Sequence, residues 1–526
     1  MTTSVSGHSG RGAVAVTPHH EATASALGVM RAGGTAADAV IAANAVLGMV
    51  LPTTCGIGGD LFAIVHRPGM ERPDVLNASG RAGSGLSADA LRDAGHEEMP
   101  TYATPSVTVP GCVDGWEALS ARHGTLPLTE LLADAIALGR GGFGASVELS
   151  AELGLLVAAL SDQPSAAALY PGGDVPAPGA TLKRPDLAAT LQGIAERGRA
   201  ALYEGPVADA ISAATGGILS KEDLAANTAD WVDPIGLEVF GLHGWTVPPN
   251  SQGYLTLAAC WLMQALDPPA DPGDPRFHHA AIEAYRAVAW ERDDLVADPD
   301  HAPWDPARLL DPARLGERLN GIDPDRATTW PRPRSAPGGT AYFCAVDRDG
   351  MAVSCIQSNF AGIGSRLSAG PTGVFLQNRG AGFSLRPGHP NEAAPGKRPL
   401  HTLSPTLWTK GGEAALVLGA RGGHQQPQYL TQMAAAMLLA RLDPAAAQAL
   451  PRWHIEDTGA AEPSVVSVEA GMSEDVVTGL AAAGHTIAPG PEAAVGWGPV
   501  SVVSIEAGIR RGAADPRVST AAADGD

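Results

Sequence analysis

Residues 331–346 constrain this chain more than any other stretch. The run Pro331-Arg-Pro-Arg-Ser-Ala-Pro-Gly-Gly339 resists regular structure, because its prolines lack backbone donors and its glycines leave the backbone free. Thr340 ends that loop, and the apolar run Ala341-Tyr-Phe-Cys-Ala-Val346 begins at once. The turn Asp347-Arg-Asp-Gly350 and a second apolar run, Ala352-Val-Ser-Cys-Ile356, follow. This layout predicts a loop, a strand, a tight turn and a second strand. A break between Gly339 and Thr340 would give Thr340 a free α-amine beside its hydroxyl. Such an amine titrates near pH ~8 and can take the hydroxyl proton at neutral pH. An internal threonine has no built-in base of that kind. A Gly-Thr step alone is far more often a plain strand start, so its neighbours must decide.

The 526-residue chain is 45% hydrophobic and 17% charged, which leaves ample core material. Length alone suggests three or four domains. Aromatic content is 5% while 64 residues are glycine, which points to tight packing through small side chains. A net charge of −21 argues against nucleic acid and anionic membrane as partners. It does not exclude an anionic small molecule, because one arginine at contact range overrides a distant field. Cys55, Cys112, Cys260, Cys344 and Cys355 form no CxxC pair. Buried free thiols in a reducing compartment fit better than a disulfide framework or a zinc site. His278, His279, His389 and His424 have no metal-ligand spacing, so neither metal nor cofactor is expected. The first ten residues lack the apolar centre of a signal peptide. The longest apolar stretch, 37–52, is interrupted by Asp38, Asn44 and Gly48. It predicts a buried helix rather than a membrane span. A cytoplasmic location is expected.

Residues 20–50 carry apolar positions at helical spacing, broken at Arg31-Ala-Gly-Gly34, and predict two helices joined by a glycine turn. Thr53-Thr-Cys-Gly-Ile-Gly-Gly-Asp60 then leads into strands at 61–65 and 74–77. Residues 115–215 read as mostly helical. The turn Pro248-Pro-Asn-Ser-Gln-Gly253 separates a strand-like stretch at 239–247 from a helix at 255–266. Further helices are predicted over 278–295 and 425–441. The Pro-rich segment 299–339 reads as a cleavable surface linker, and the polar tail beyond Ala514 is expected to fray. Strands in two clusters flanked by helices predict sheet layers held between helices.

Six short pieces occur in one order: Thr53–Gly59, Gly80-Arg81, Val109-Pro-Gly-Cys-Val-Asp-Gly-Trp116, Pro248–Gly253, Thr340 with Val346–Gly350, and Gly419-Ala-Arg-Gly-Gly423. With them the chain resembles the γ-glutamyltranspeptidase family of N-terminal-nucleophile (Ntn) hydrolases, over roughly residues 13–516. The resemblance implies an α/β fold, a four-layer αββα sandwich. It implies autocleavage at Gly339–Thr340 into a large chain, 1–339, and a small chain, 340–526, that stay together as a heterodimer. It implies Thr340 as the nucleophile, Gly422 and Gly423 as oxyanion donors, and Ser358 as the hydroxyl that supports the nucleophile, a position held by threonine in the γ-glutamyl enzymes. It implies Arg81 as the partner of the substrate's α-carboxylate, a role that suits a guanidinium fork.

The chain departs from the γ-glutamyl pattern after the nucleophile. Those enzymes carry Asn-Asn-x-Met-Asp-Asp-Phe, whose second Asp binds an α-ammonium. This chain reads Gln377-Asn-Arg-Gly-Ala-Gly-Phe383, with Gly382 at that Asp and Arg379 adding a cation. A site that loses an anion and gains a cation should repel an ammonium. The family's paired lid serines appear as His401-Thr402. These changes resemble a divergent branch that includes oxamate amidohydrolases and cephalosporin-type acylases. Candidate substrate-binding residues are Arg81, Asn378, Arg379, His401 and Thr402. Arg379 has an alternative as a paired structural cation. His401 is either an acid–base group titrating near neutrality or a hydrogen-bonding wall residue. The leading expectation is an amidohydrolase or acyltransferase for an acyl group bearing a carboxylate. Alternatives are γ-glutamyl transfer or glutathione hydrolysis, carbon–carbon cleavage removing an oxalyl unit in alkylproline antibiotic biosynthesis, and an uncleaved non-catalytic scaffold.

Overall fold

The computed structural model describes residues 5–226, 229–331, 338–456, 465–492 and 494–526. Strands of the two main sheets, numbered in chain order, are β1 Gly7–Gly10, β2 Val14–Thr17, β3 Asp60–His66, β4 Asp74–Ala78, β5 Asp230–Val232, β6 Ile235–Val239 and β7 Leu242–Thr246. After the Pro-rich segment come β8 Gly339–Val346, β9 Ala352–Phe360, β10 Thr406–Lys410, β11 Glu413–Ala420, β12 Val500–Glu506, β13 Ile509–Ala514 and β14 Ala522–Gly525. One seven-stranded sheet has the order β14-β2-β8-β9-β3-β4-β5, the other β1-β13-β12-β11-β10-β7-β6. All pairings in both sheets are antiparallel.

Period-2 alternation along β8 explains the layering. Ala341, Phe343 and Ala345 join a core shared with helices α1 His20–Arg31, α2 Ala36–Val50 and α3 Cys112–His123. Tyr342, Cys344 and Val346 point the other way and meet Leu407, Val417 and Val503 of the second sheet. Helix α4 Val147–Leu160 packs on the first side, while α5 Tyr254–Leu266, α6 Pro275–Ala289 and α7 Gln426–Ala434 cover the second sheet's outer face. The result is the expected four-layer αββα sandwich.

The polar interruptions of the 37–52 stretch each have a task. Every residue of α2 is buried. Asp38 closes a capping box with Thr35 at the helix start. Asn44 Oδ1 accepts the Trp116 indole N–H at 2.8 Å, so a buried donor is satisfied. Gly48 lets the glycine loop approach: a Cβ there would sit 3.3 Å from Gly56 Cα. Gln357 of β9 then clamps that loop, accepting from Gly56 N–H at 2.8 Å and donating to its carbonyl at 2.6 Å.

Three expectations are corrected. The helix predicted over 278–295 ends at Ala289, and a short helix, Arg292–Leu295, follows a break at Trp290-Glu291. The 299–339 segment is not uniformly a linker, since 312–319 is helical and 3₁₀ turns precede it; residues 332–337 lie outside the described ones. The tail beyond Ala514 is not frayed. Its last strand, β14, pairs with β2 from Ala522↔Thr17 to Gly525↔Val14 and fills backbone bonds an edge strand would leave open. The five cysteines are free and buried, as expected. Burial pushes the Cys55 thiol up to about 12, which makes it unreactive. Among the described residues no helix is long and apolar enough to cross a bilayer.

Gly80 sits where two backbones nearly touch. A Cβ there would lie 1.5 Å from the Val109 carbonyl oxygen. Gly80→Ala is expected to lower unfolding free energy by about 2 kcal/mol or more, because backbone rather than a flexible side chain must move. Urea denaturation of variant and parent checks this.

Candidate active site

The candidate site lies where β8 begins. Pairing between β8 and β9 shifts between Gly339 and Ala341, so Thr340 sits on an irregularity; it is 3% exposed. Its peptide link to Gly339 is held closely. A Cβ on Gly339 would lie 3.1 Å from both Thr53 O and Gly362 N. Ser358 is two residues from Ile356 and Asp60 two from Phe62, and both apolar residues belong to the core between the sheets. The β9–β3 register sets Ser358 opposite Asp60. The buried Ser358 hydroxyl donates to the Gly339 carbonyl, and it accepts from Phe360 N–H at 2.7 Å.

The Gly422-Gly423 turn arrives from the other sheet. Both residues have positive φ, 135° and 55°, which glycine adopts without steric cost. A Cβ on Gly338 would lie 2.9 Å from Gly423 Cα, so this turn abuts the chain just before Thr340. Gln252 donates from Nε2 to Gly423 O and to Thr402 O, both at 3.1 Å. The Pro248–Gly253 loop thereby ties the glycine turn to the His401-Thr402 segment.

Arg379 is fully buried. Its guanidinium donates to Thr402 Oγ1 at 3.1 Å and Ser358 Oγ at 3.4 Å, and it lies 4.1 Å from the Phe360 ring centre. Burial lowers its pKa to about 9, with Asp60 acting against the fall, so it stays charged at neutral pH. Asp60 is saturated. Its Oδ1 accepts Gly80 N–H at 2.8 Å and Gln377 Nε2 at 2.7 Å, and its Oδ2 faces His401 Nε2 at 3.0 Å. His401 Nδ1 accepts from Leu403 N–H at 3.4 Å, so the ring proton belongs on Nε2 and points at Asp60. Burial, then Arg379, push the His401 pKa down to about 3. Of the two roles open to His401, acid–base chemistry near neutrality is therefore removed, and the neutral hydrogen-bonding role remains.

Two other candidates already have protein partners. Asn378 spends both ends on backbone, accepting from Ala361 N–H at 3.0 Å and donating to Thr101 O at 2.9 Å. In this way it shapes a loop. Arg81 is already surrounded: Asp298 at 3.4 Å, Asp230 at 3.5 Å, Asp300 at 3.8 Å and the Gly396 carbonyl at 3.0 Å. Sequence reasoning did not single out Asp60, Gln252, Gln377 or Glu152. The first three lie inside the quoted motifs, which was the available signal. Glu152 on α4 had none. It takes Arg421 Nη2 at 2.9 Å and the Thr53 hydroxyl, beside a cavity of about 40 Å³ that Thr340 also lines, room for one or two waters. Among the described residues no cluster of His, Cys, Asp and Glu is arranged to hold a metal ion.

The sequence profile of the gamma-glutamyltranspeptidase family matches residues 22–525. This chain belongs to that family. It is 32% identical over 514 residues to the glutathione hydrolase-like YwrD proenzyme of Bacillus subtilis, covering 96% of this chain and 97% of that one. It is 33% identical over 521 residues to the oxamate amidohydrolase proenzyme of Klebsiella pneumoniae, covering 97% and 98%. The fold is similar to the crystal structure of cephalosporin acylase from Bacillus halodurans, with a TM-score of 0.91, 32% identity and coverage of 98% and 96%. As a gamma-glutamyltranspeptidase family member the chain is an enzyme of the Ntn amidohydrolase or acyltransferase kind.

The buried imidazole also fixes a pH dependence. An unfolded histidine binds its proton near ~6.5, while His401 does so only near 3. Between those values the unfolded state holds the extra proton, so stability falls as pH drops from about 6.5 towards 3. In His401→Gln that component is gone. The loss of unfolding free energy between pH 7.5 and pH 5 should shrink by up to about 2 kcal/mol relative to the parent. Denaturant titrations at the two pH values measure it.

Proposed function

We propose that the chain is a self-processing hydrolase whose Thr340, freed by cleavage after Gly339, attacks an amide carbonyl. The acyl group transferred to Thr340 bears a carboxylate or carbonyl at its far end and lacks an α-ammonium. Water then releases it. In this reading the α-amine of Thr340 is the base and the Gly422-Gly423 turn supplies N–H donors to the oxyanion. The heterodimer of large and small chains is the working form.

One observation carries the choice of acyl group. Asp60, the buried carboxylate opposite Ser358, accepts three hydrogen bonds, while the adjoining Arg379 is charged and desolvated. Beside Arg379 an ammonium would meet a buried cation; a carbonyl or carboxylate would meet donors. An oxamate amidohydrolase and a cephalosporin acylase among the relatives are in keeping with this, since oxamate and cephalosporin-type acyl groups have such oxygens.

A second reading rests on the Arg81 region. Asp230, Asp298 and Asp300 around Arg81 could hold an ammonium while Arg81 holds the neighbouring carboxylate, as γ-glutamyl recognition requires. Anilides separate the readings. The enzyme is expected to hydrolyse glutaryl-p-nitroanilide with kcat/KM at least about tenfold above the γ-glutamyl compound, a difference of about 1.4 kcal/mol in transition-state binding. The reverse preference supports the second reading. Purified protein should run as two chains on a denaturing gel, and Thr340→Ala as one chain of 53.5 kDa without activity. Active wild-type protein that remains a single chain overturns the proposal.

A further inference from the structure

Resting on the self-cleaving reading, we propose that Arg379 and Ser358 act as a donor relay that opens the Gly339–Thr340 bond in the precursor. A hydroxyl has one hydrogen and two acceptor positions. Both acceptor positions of Ser358 Oγ are filled, by Phe360 N–H at 2.7 Å and Arg379 Nη2 at 3.4 Å. Its hydrogen is left with one destination, the Gly339 carbonyl oxygen, which it meets. That oxygen collects negative charge when Thr340 attacks.

Arg379 is placed to strengthen this bond. It is fully buried, and its charge acts where water does not screen it. Among the described residues no carboxylate lies within ion-pair distance of it; Asp60 is engaged by Gly80, Gln377 and His401 instead. The Arg379 Nε–H is buried with no acceptor among the described residues. Thr402 at 3.1 Å and the Phe360 ring at 4.1 Å fix its plane, with one arm on Ser358.

The step balances without another reagent. A bond forms between Thr340 Oγ and the Gly339 carbonyl carbon, and the electron pair of the C=O moves to oxygen, where Ser358 O–H holds it. On collapse the carbon–nitrogen bond breaks, and the hydroxyl proton ends on the Thr340 nitrogen. Water then hydrolyses the ester to a Gly339 carboxylate and a free Thr340 hydroxyl. Ser358 touches the reacting oxygen; Arg379 is a positioning residue that works through Ser358. The Gly422-Gly423 donors belong to the later attack on substrate.

Cell-free synthesis of the full chain, sampled over time on a denaturing gel, tests the relay. Ser358→Ala should slow conversion to two chains by about 10²-fold, the usual cost of one oxyanion donor. Arg379→Met should slow it by about tenfold, and Arg379→Lys, which keeps the charge, by less. In the Ser358→Ala background Arg379→Met should cause no further slowing, because its effect passes through the missing hydroxyl. An arginine that merely supports the fold would slow both backgrounds equally, and that result overturns the relay. So does wild-type-rate cleavage by either single variant. Should Arg379→Met not fold, the same cycle run with Arg379→Lys separates the two roles in the same way. A wild-type chain that stays whole strikes the self-cleaving reading itself, and is thereby distinguished from failure of the relay alone.

Discussion

A buried carboxylate is the constraint on which the reacting end of this molecule depends. Asp60 sits at the start of β3 with no solvent contact. A carboxyl group in that position is tolerable only when it is hydrogen-bonded. Three segments far apart in sequence supply partners: the Gly80 amide after β4, Gln377 after β9, and His401. Satisfying one anion therefore fixes three loops. It also orients His401, whose Nε2 faces Asp60 while Nδ1 accepts from Leu403; burial and Arg379, working against Asp60, keep the ring neutral.

The same arrangement leaves Arg379 without an ion-pair partner among the described residues, though Asp60 acts on it at longer range. With Asp60 bonded to neutral donors, the guanidinium borders hydroxyls and an aromatic face. Its burial shifts it towards the neutral form, yet not below physiological pH. The γ-glutamyl pattern would have an acid near this place. Exchanging an acid for glycine and adding an arginine changes the sign of the local field without changing the strands that carry it.

Much of this architecture was legible in the residues. The glycine turn at 31–34, the buried helix over 37–52 and the strand opening at Thr340 follow from period and breakers, because each depends on neighbours within a few positions. The Gly80, Pro248–Gly253 and Gly422-Gly423 pieces meet the segments around Asp60 and Thr340, while the Val346–Gly350 turn lies at the far end of β8, where Asp347 accepts Ala36 N–H. What stayed hidden depends on partners hundreds of positions away. Arg81 has its acids at 230, 298 and 300, so its occupied state has no local signature. The neutrality of His401 comes from burial plus Arg379, and the ordering of the C-terminal tail comes from β2 near the other end of the chain. Local polarity read that tail as loose, while long-range pairing decided otherwise.

The interleaving of strands has a mechanical consequence. In one sheet β2, from before the Gly339–Thr340 bond, lies between β8 and β14 from after it; in the other, strands from after the bond are bordered on one edge by β1 and on the other by β7. A nick at that bond would cut the polypeptide without creating two separable bodies. Each fragment would remain laced into both sheets by ladder hydrogen bonds on either side, and pulling them apart would require melting the sandwich. No cystine clasp is needed to retain the halves, which suits a chain whose five thiols are all free.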